Sequence, residues 1–358
     1  MIRVGLVGFG MAGRVFHAPL ISSVEGLELA AVVERHANQA AERYPKITTY
    51  RSLEAMLADA SLQLIVVATP NESHVPCARQ ILEAGKNVVV DKPMGVTSAE
   101  IAQLMQLAAA RGLLLAPFHN RRWDDNFRTI QRLLQDGSLG RLVHMESNWD
   151  RWRPEPRPGA WREKLVPGAG ILFDLGSHLV DQAIELFGLP EAVGAEVGRE
   201  RDGEGPDDSF TLRLRYPRLS VVLRSTCLGS LQRPFVHLRG TKGNYWKWTL
   251  DPQEAALNQI TRIDDPKWGE EPPADWGTLS VDAEGDSASR SIEPIPGDYR
   301  FFYAGIRDAL LGKAPAPVPA LAAWRAARLI EWARGASDER REVICDWNEE
   351  PKQAAKSI

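Results

Sequence analysis

Over the first third of the chain, short runs of apolar, mostly β-branched residues at 2–7, 29–33, 64–68 and 88–90 alternate with stretches whose apolar positions recur at helical spacing. Each run is apolar nearly throughout, as a strand covered on both faces should be, and the intervening stretches are long enough for right-handed crossovers. The pattern predicts a doubly wound parallel sheet over residues 1–120. After Phe118 the texture changes: a helix is expected at 126–135, a strand at 142–149, a Trp/Arg/Pro-rich loop at 149–161, and a helix with a glycine-rich entry at 168–188. Alternating patterns at 210–216, 219–228 and 235–240 then read as antiparallel strands, with Tyr245 and Trp246 on a hairpin beside Gly243. Prolines, acids and glycines dominate 251–298, which predicts extended loop with one short strand. Helical periodicity returns at 300–311 and 321–334, flanking a connector whose Pro315, Pro317 and Pro319 forbid a continuous helix. The expected class is α/β, with a parallel N-terminal sheet followed over 121–358 by an α+β domain whose sheet is mainly antiparallel.

Composition narrows the function. The 358 residues are 44% hydrophobic and 25% charged, ordinary globular usage, and 47 acids against 43 bases leave a formal charge of −4. Nothing in that balance supplies the basic footprint of a nucleic-acid partner. Cys77, Cys227 and Cys345 are far apart, without a Cys-x-x-Cys or Cys/His cluster, so neither a disulfide framework nor a zinc site is expected. The opening MIRVGLVGFG reads as a strand rather than a signal peptide, and no run of apolar residues is long enough to span a bilayer. A cytoplasmic chain with no membrane partner is the expectation.

The sharpest local signal is Gly8-Phe9-Gly10-Met11-Ala12-Gly13, a GxGxxG directly after a strand and opening a helical stretch. There the first glycine permits a tight turn, the second lets backbone approach a pyrophosphate, and the third lets the helix pack on the strand. A glycine turn without a ligand is the alternative, and Glu34 weighs against it, since an acid closing the second strand can accept hydrogen bonds from adenosine ribose hydroxyls. NAD or NADP is the expected cofactor. Glu34 should repel a 2′-phosphate and so leans to NAD, while Arg35 leaves NADP open. Thr69, Pro70 and Asn71 end another strand where they can wall the nicotinamide side, whereas His74 needs no ligand to explain it.

Lys92 emerges from the strand at 88–90 with its backbone stiffened by Pro93, an address at which a desolvated lysine can exchange a proton with a substrate hydroxyl. Asp174, His178 and Asp181 stand at i, i+4 and i+7, one face of a helix, and can converge on one substrate. A capped core histidine is the alternative there. A metal site is not expected, because one histidine and two acids do not form a recognisable ligand set.

Together, GFGMAG with the following FHAPLI, ATPN, DKP and GAGILFDLGSHLVDQ resemble the glucose-fructose oxidoreductase and inositol dehydrogenase family, often written Gfo/Idh/MocA. FHNRRWDDNF, DRWRPEPR, GNYWKWTLDPQE and YAGIRDALLG are similar to its branch of scyllo-inositol dehydrogenases, so the resemblance spans nearly the whole chain. The resemblance implies an NAD(P)-dependent oxidoreductase that interconverts a secondary alcohol and a ketone on a sugar or cyclitol. Lys92 would contact the reacting hydroxyl, His178 would be the acid/base and Asp174 the substrate-binding aspartate; Asp91 stands where the family usually has Glu. Asn120, Arg121, Trp123, Asp150, Arg151, Trp152 and Arg153 would line the pocket mouth, although an Arg/Trp-rich loop equally suits a subunit interface. The resemblance further implies a homodimer or homotetramer assembled through the C-terminal sheet. An aldose dehydrogenase, a small-carbonyl reductase and a non-catalytic dinucleotide sensor are the competing functions.

Overall fold

The structure, a computed structural model, describes residues 1–231, 233–259, 263–283 and 286–352. The first region folds as expected. Strands β1 (Ile2–Val7), β2 (Leu27–Val33), β3 (Thr48–Tyr50), β4 (Leu64–Val67), β5 (Asn87–Val90) and β6 (Leu115–Pro117) form a wholly parallel sheet in the order β3-β2-β1-β4-β5-β6. The strand order turns at β1, with β2 and β3 added on one side and β4 to β6 on the other, so a crevice opens beyond the carboxyl ends of β1 and β4. Helices α1 (Ala18–Ser23), α2 (Gln39–Arg43), α3 (Leu53–Leu57), α4 (His74–Glu83) and α5 (Ser98–Arg111) supply the crossovers. Helix α5 starts at a reciprocal Thr97–Glu100 capping box and stops at Gly112, whose φ of 63° turns the chain out of the helix.

The second sheet has nine strands: β7 (Leu142–Asn148), β8 (Ala192–Gly198), β9 (Ser209–Tyr216), β10 (Leu219–Thr226), β11 (Val236–Gly240), β12 (Gly243–Lys247), β13 (Gly277–Ala283), β14 (Asp286–Ile292) and β15 (Val343–Ile344). Their order is β14-β13-β12-β11-β7-β10-β9-β8-β15, and all neighbours are antiparallel except β7 and β10. Strand β9 shows why one face is covered: Phe210, Leu212, Leu214 and Tyr216 are buried, while the alternating Arg213 and Arg215 are exposed. Helices α6 (Asp125–Gln135), α7 (Ser177–Phe187), α8 (Gln253–Asn258), α9 (Arg300–Leu310) and α10 (Ala320–Glu339) complete the described elements. No helix of the described residues is long and apolar enough to cross a membrane.

Two expectations change. Residues 251–298 hold helix α8 and the β13–β14 hairpin rather than loop with one strand. Ala288, Ser289, Arg290 and Ser291 of the edge strand β14 are all exposed, so the alternation that normally betrays a strand is absent. Tyr245 lies fully buried in the core of the second sheet, and Trp246, the next residue, points to the opposite face. Of these two, Tyr245 therefore cannot line a pocket mouth.

The two ends of the chain share cores. Tyr299, Phe302, Tyr303 and Ile306 of α9 and its approach pack beneath the first sheet with Leu6, Leu20 and Phe118. Leu321, Ala323, Trp324 and Ala327 of α10 pack on its other side, while Ala326, Leu329, Ile330 and Ala333 of the same helix join the core of the second sheet.

Candidate functional site

Parallel register builds one wall of the site. Val7 pairs with Val67, Val67 with Val90, and Val90 with Pro117, so the residues leaving these strands stand in a row along one sheet edge. Two positions beyond the last paired residue, that row reads Phe9, Thr69, Lys92 and His119. Sequence reasoning found the first three and missed His119, which follows a three-residue strand ending in proline. The same strand-edge logic that singled out Lys92 would have found it.

The glycine loop fits a dinucleotide. Gly8 has a φ of +97°, and a Cβ there would meet the Ala68 carbonyl oxygen at 2.7 Å. At Gly13 a Cβ would lie 2.1 Å from the Gly8 carbonyl oxygen, whereas at Gly10 it would meet nothing within 4 Å, leaving open space beside the backbone. The amides of Gly10, Met11 and Ala12 make no hydrogen bond within the described chain, as a phosphate cradle requires. Phe9 contributes backbone only, since its ring is buried edge-on against Tyr44, and Met11 is half exposed.

Glu34 follows β2 as expected, with partners that the sequence did not show. Its carboxylate is buried and accepts hydrogen bonds from the amides of Gln39 (3.2 Å) and Ala40 (2.9 Å), capping α2 in place of Asn38. One acceptor site on each carboxylate oxygen is thus taken by a helix amide. Arg35 and His36, next along the chain, are exposed. At the end of β4, Asn71 is buried with its Nδ2 donating to the Gly168 carbonyl (2.9 Å), while Thr69 is half-buried and Pro70 exposed. Asn71 thus ties the crevice to the second region instead of facing it with a free amide.

Lys92 crosses between the regions. Its Nζ lies 3.2 Å from Asp174 Oδ1 and donates a short hydrogen bond to the Asp174 carbonyl oxygen. Burial lowers the Lys92 pKa, opposed by Asp174. Just before it, burial alone would push the Asp91 carboxyl up, and His17, His74 and Lys92 more than reverse that, holding it at about 2. Asp91 Oδ1 accepts from the Lys92 amide at 2.8 Å, so the carboxylate stiffens the lysine's backbone. His74, which needed no ligand on sequence grounds, has Nε2 2.7 Å from the Thr69 carbonyl and Nδ1 2.8 Å from the Pro93 carbonyl. It bridges the ends of β4 and β5.

Opposite Lys92, a π-helical turn at Leu172–Gly176 runs straight into α7 and presents Asp174 and His178. Burial would raise the Asp174 pKa, but Lys92, Arg151 and Arg162 hold it far below the usual carboxylate range; Arg151 Nη1 is 3.0 Å from Oδ2 and Arg162 Nε 3.5 Å from Oδ1. Burial, reinforced by Lys92, Arg121 and His119, pushes the His178 pKa well below 6.5, so the ring is uncharged at neutral pH. Its Nδ1 is buried and has no hydrogen-bond partner among the described residues, which is the mark of a group waiting for a ligand. His119 is alike: buried, its pKa lowered chiefly by burial, and neither ring nitrogen hydrogen-bonded among the described residues. Asp181 does not converge with Asp174 and His178. It is paired with Arg122 at 2.7 and 2.8 Å and sits 3.8 Å from His119, held behind the site.

The expected pocket residues divide. Arg151 reaches Asp174, and Arg153 lies on the same face of the segment that follows β7. Asp150 turns away to Arg233 in a two-bond pair at 2.8 Å, and Trp152 is 59% exposed on the opposite face. Arg121 is buried, donates to Tyr299 Oη at 2.9 Å, pairs with Glu254, and stacks 4.6 Å over Trp149. Trp149 in turn lies 5.9 Å from the His178 ring, so this indole, unremarked in the sequence, walls the histidine. Asn120 is buried in the turn before α6, and Trp123 packs edge-on against Phe302. Arg162 is the other contributor that sequence reasoning missed, because the loop around it shows no periodicity.

Comparison with known proteins agrees with this geometry. Residues 2–119 match the model of an oxidoreductase family with an NAD-binding Rossmann fold, and residues 127–246 match the Gfo/Idh/MocA C-terminal domain. An uncharacterised oxidoreductase of Escherichia coli, YdgJ, is 41% identical over 92% of this chain and 94% of its own. The scyllo-inositol 2-dehydrogenase (NADP(+)) IolW of Bacillus subtilis is 32% identical over 96% of each chain. Among solved structures, the Bacillus subtilis oxidoreductase YvaA superposes with a TM-score of 0.94 at 32% identity, covering 96% of this chain and 98% of that one. A Yersinia pestis oxidoreductase gives 0.91 at 41% identity, covering 96% and 97%. With both regions matched and relatives of this identity running nearly end to end, the chain belongs to the Gfo/Idh/MocA family of oxidoreductases with an NAD(P)-binding Rossmann fold.

Proposed function

We propose that this chain oxidises a secondary alcohol of a polyol, or reduces the corresponding ketone, with Lys92 and His178 handling the hydroxyl proton. The observation that carries the reading is the cluster of partly buried Lys92 and Asp174 with buried His178 at the carboxyl edge of the parallel sheet, His178 Nδ1 having no hydrogen-bond partner among the described residues. A bound nicotinamide supplies the acceptor for the hydride leaving the alcohol carbon. Lys92, fixed by Asp174, orients the hydroxyl and favours its ionisation, and the uncharged His178 takes the proton, so one hydride and one proton leave the alcohol as the ketone forms. Burial among Trp149, Arg121 and Lys92 keeps His178 in the proton-accepting form. Relatives add a substrate class: one of them is named for scyllo-inositol, which supports a polyol or cyclitol.

NADP is the better fitting cofactor. The expectation of NAD rested on Glu34 repelling a 2′-phosphate; that carboxylate is turned in against the amides of Gln39 and Ala40, while Arg35, the group able to pair with such a phosphate, stands exposed beside it with His36. Titration of the eleven-tryptophan chain with NADPH and NADH by fluorescence quenching tests this directly. NADPH should bind the more tightly, and Arg35→Gln should cost about tenfold in NADPH affinity while leaving NADH nearly unchanged. Equal binding of both, or tighter NADH, would remove the NADP reading. A polyol panel with the better cofactor then tests turnover itself. Assembly into a dimer or tetramer through the open face of the nine-stranded sheet belongs to the same reading, as does a reducing cytoplasmic setting, supported by three free cysteines.

A further inference from the structure

Beyond β7 the chain runs extended beside the end of β10: Arg151 N donates to Thr226 O at 2.9 Å, Arg153 N to Cys227 O at 2.7 Å, and Gly229 N to Arg151 O at 3.0 Å. Alternation along such a segment places Arg151 and Arg153 on one face, and Arg151 shows which face that is by pairing with Asp174 at 3.0 Å. Lys92 and Arg162 arrive at the same carboxylate from two other elements. Three cations thus share one carboxylate, whose two oxygens they already occupy. Arg153 has no hydrogen bond or ion pair through its side chain among the described residues, and the charges around it are chiefly Arg151 and Arg157; burial and then these two guanidiniums lower its pKa. Nearby acids do not redress the balance. Asp150 is taken by Arg233, Glu163 by Arg201 at 2.7 Å, and Asp207 by Arg334 at 2.6 Å. Glu155, on the same loop, is exposed.

A neutral polyol leaves that excess charge uncompensated. Guanidinium groups match carboxylate and phosphate oxygens in planar two-bond geometry, and a site poor in water strengthens the match. We propose that the substrate carries an anionic group, a carboxylate or a phosphate, gripped by Arg151, Arg153 and Arg162 while the hydroxyl to be oxidised lies at Lys92 and His178. This rests on the dehydrogenase reading and narrows its substrate class from polyols in general to acidic sugars. Arg162, 40% exposed in its side chain and 3.5 Å from Asp174 against 3.0 Å for Arg151, is the guanidinium more easily turned from Asp174 to the incoming anion. The remaining cradle is on the second region, apart from the glycine loop that receives the pyrophosphate of the cofactor.

The test is calorimetric binding to the protein saturated with NADP⁺, using glucose and myo-inositol as neutral probes, gluconate and glucuronate as carboxylates, and glucose 6-phosphate and myo-inositol 1-phosphate as phosphates. At least one anionic probe should bind about tenfold more tightly than its neutral counterpart, and the carboxylate and phosphate arms tell which group is recognised. That advantage should shrink as salt rises from about 50 mM to about 500 mM. It should collapse in Arg153→Gln, Arg162→Gln and the double variant, changes at partly exposed positions that leave the cores intact. Neutral probes binding as tightly as every anionic one would overturn the proposal, and so would an anionic advantage that survives both substitutions. Turnover of the same panel answers the separate question: anion binding without hydride transfer to any probe counts against the dehydrogenase reading alone, and turnover confined to neutral polyols counts against the anionic substrate alone.

Discussion

Lys92 and His178 do different work with their charge. The lysine is held against Asp174 and keeps a partner in the resting protein, whereas the histidine is kept uncharged and partnerless at Nδ1. Lys92→Met or His178→Ala should therefore lower kcat by about 10² to 10⁴ while cofactor affinity, measured by fluorescence titration, stays within a factor of about two. Wild-type turnover in both variants would break the proposed proton path. The pH dependence of alcohol oxidation follows from the same histidine. Proton acceptance needs the neutral ring, and because its pKa lies well below 6.5, activity should persist through the ordinary histidine range and fall only at lower pH. An acid limb centred above about 7 in a kcat–pH profile would contradict a neutral His178 as acceptor.

Elements place these residues, and the strand ends do so through hydrogen bonds that cross from one to the next. His74, at the start of α4, spans the carbonyls of Thr69 and Pro93 and so couples the end of β4 to the lysine end of β5. His74→Ala should reduce kcat about tenfold or more by releasing Lys92 from its register, since small displacements of a reacting group are costly. His74→Gln, which keeps one donor, should recover part of the loss; a fall in thermal stability with unchanged kcat would mark His74 as structural only. Strands of four or more residues buried on both faces were legible: β4 is Leu-Ile-Val-Val and β5 three valines after Asn87. Strands β3 and β6, three residues each, gave too short a pattern, and the solvent-facing β14 gave none. Lys92 could be read from its strand for that reason, and His119 was lost with the unread β6. Glu34 was located correctly but its partners lie five and six residues on, at a helix whose start only the folded chain reveals.

At the scale of the molecule, the site concentrates buried titratable groups between the two sheets, and its stability should report them in two steps as pH falls. His119 and His178 have folded pKa values below their unfolded ones, so their contribution is complete above about 6.5 and is lost as pH falls below it. Asp91, held at about 2, and Asp174, held lower than usual, contribute fully above about 4 and lose that contribution further into acid. Urea midpoints measured across pH should decline first through the histidine step and then more steeply through the carboxylate step. In His178→Asn the first step should be smaller; an unchanged first step would place its origin elsewhere. The packing of Tyr299, Phe302, Tyr303 and Trp324 against the first sheet carries a further consequence for a chain made from one end. The nucleotide-binding region emerges from the ribosome ahead of these residues, yet they form the aromatic floor and one flank of its sheet. Its early strands must wait, half covered, for side chains synthesised some three hundred residues later, so a region made ahead of these partners is completed only by them.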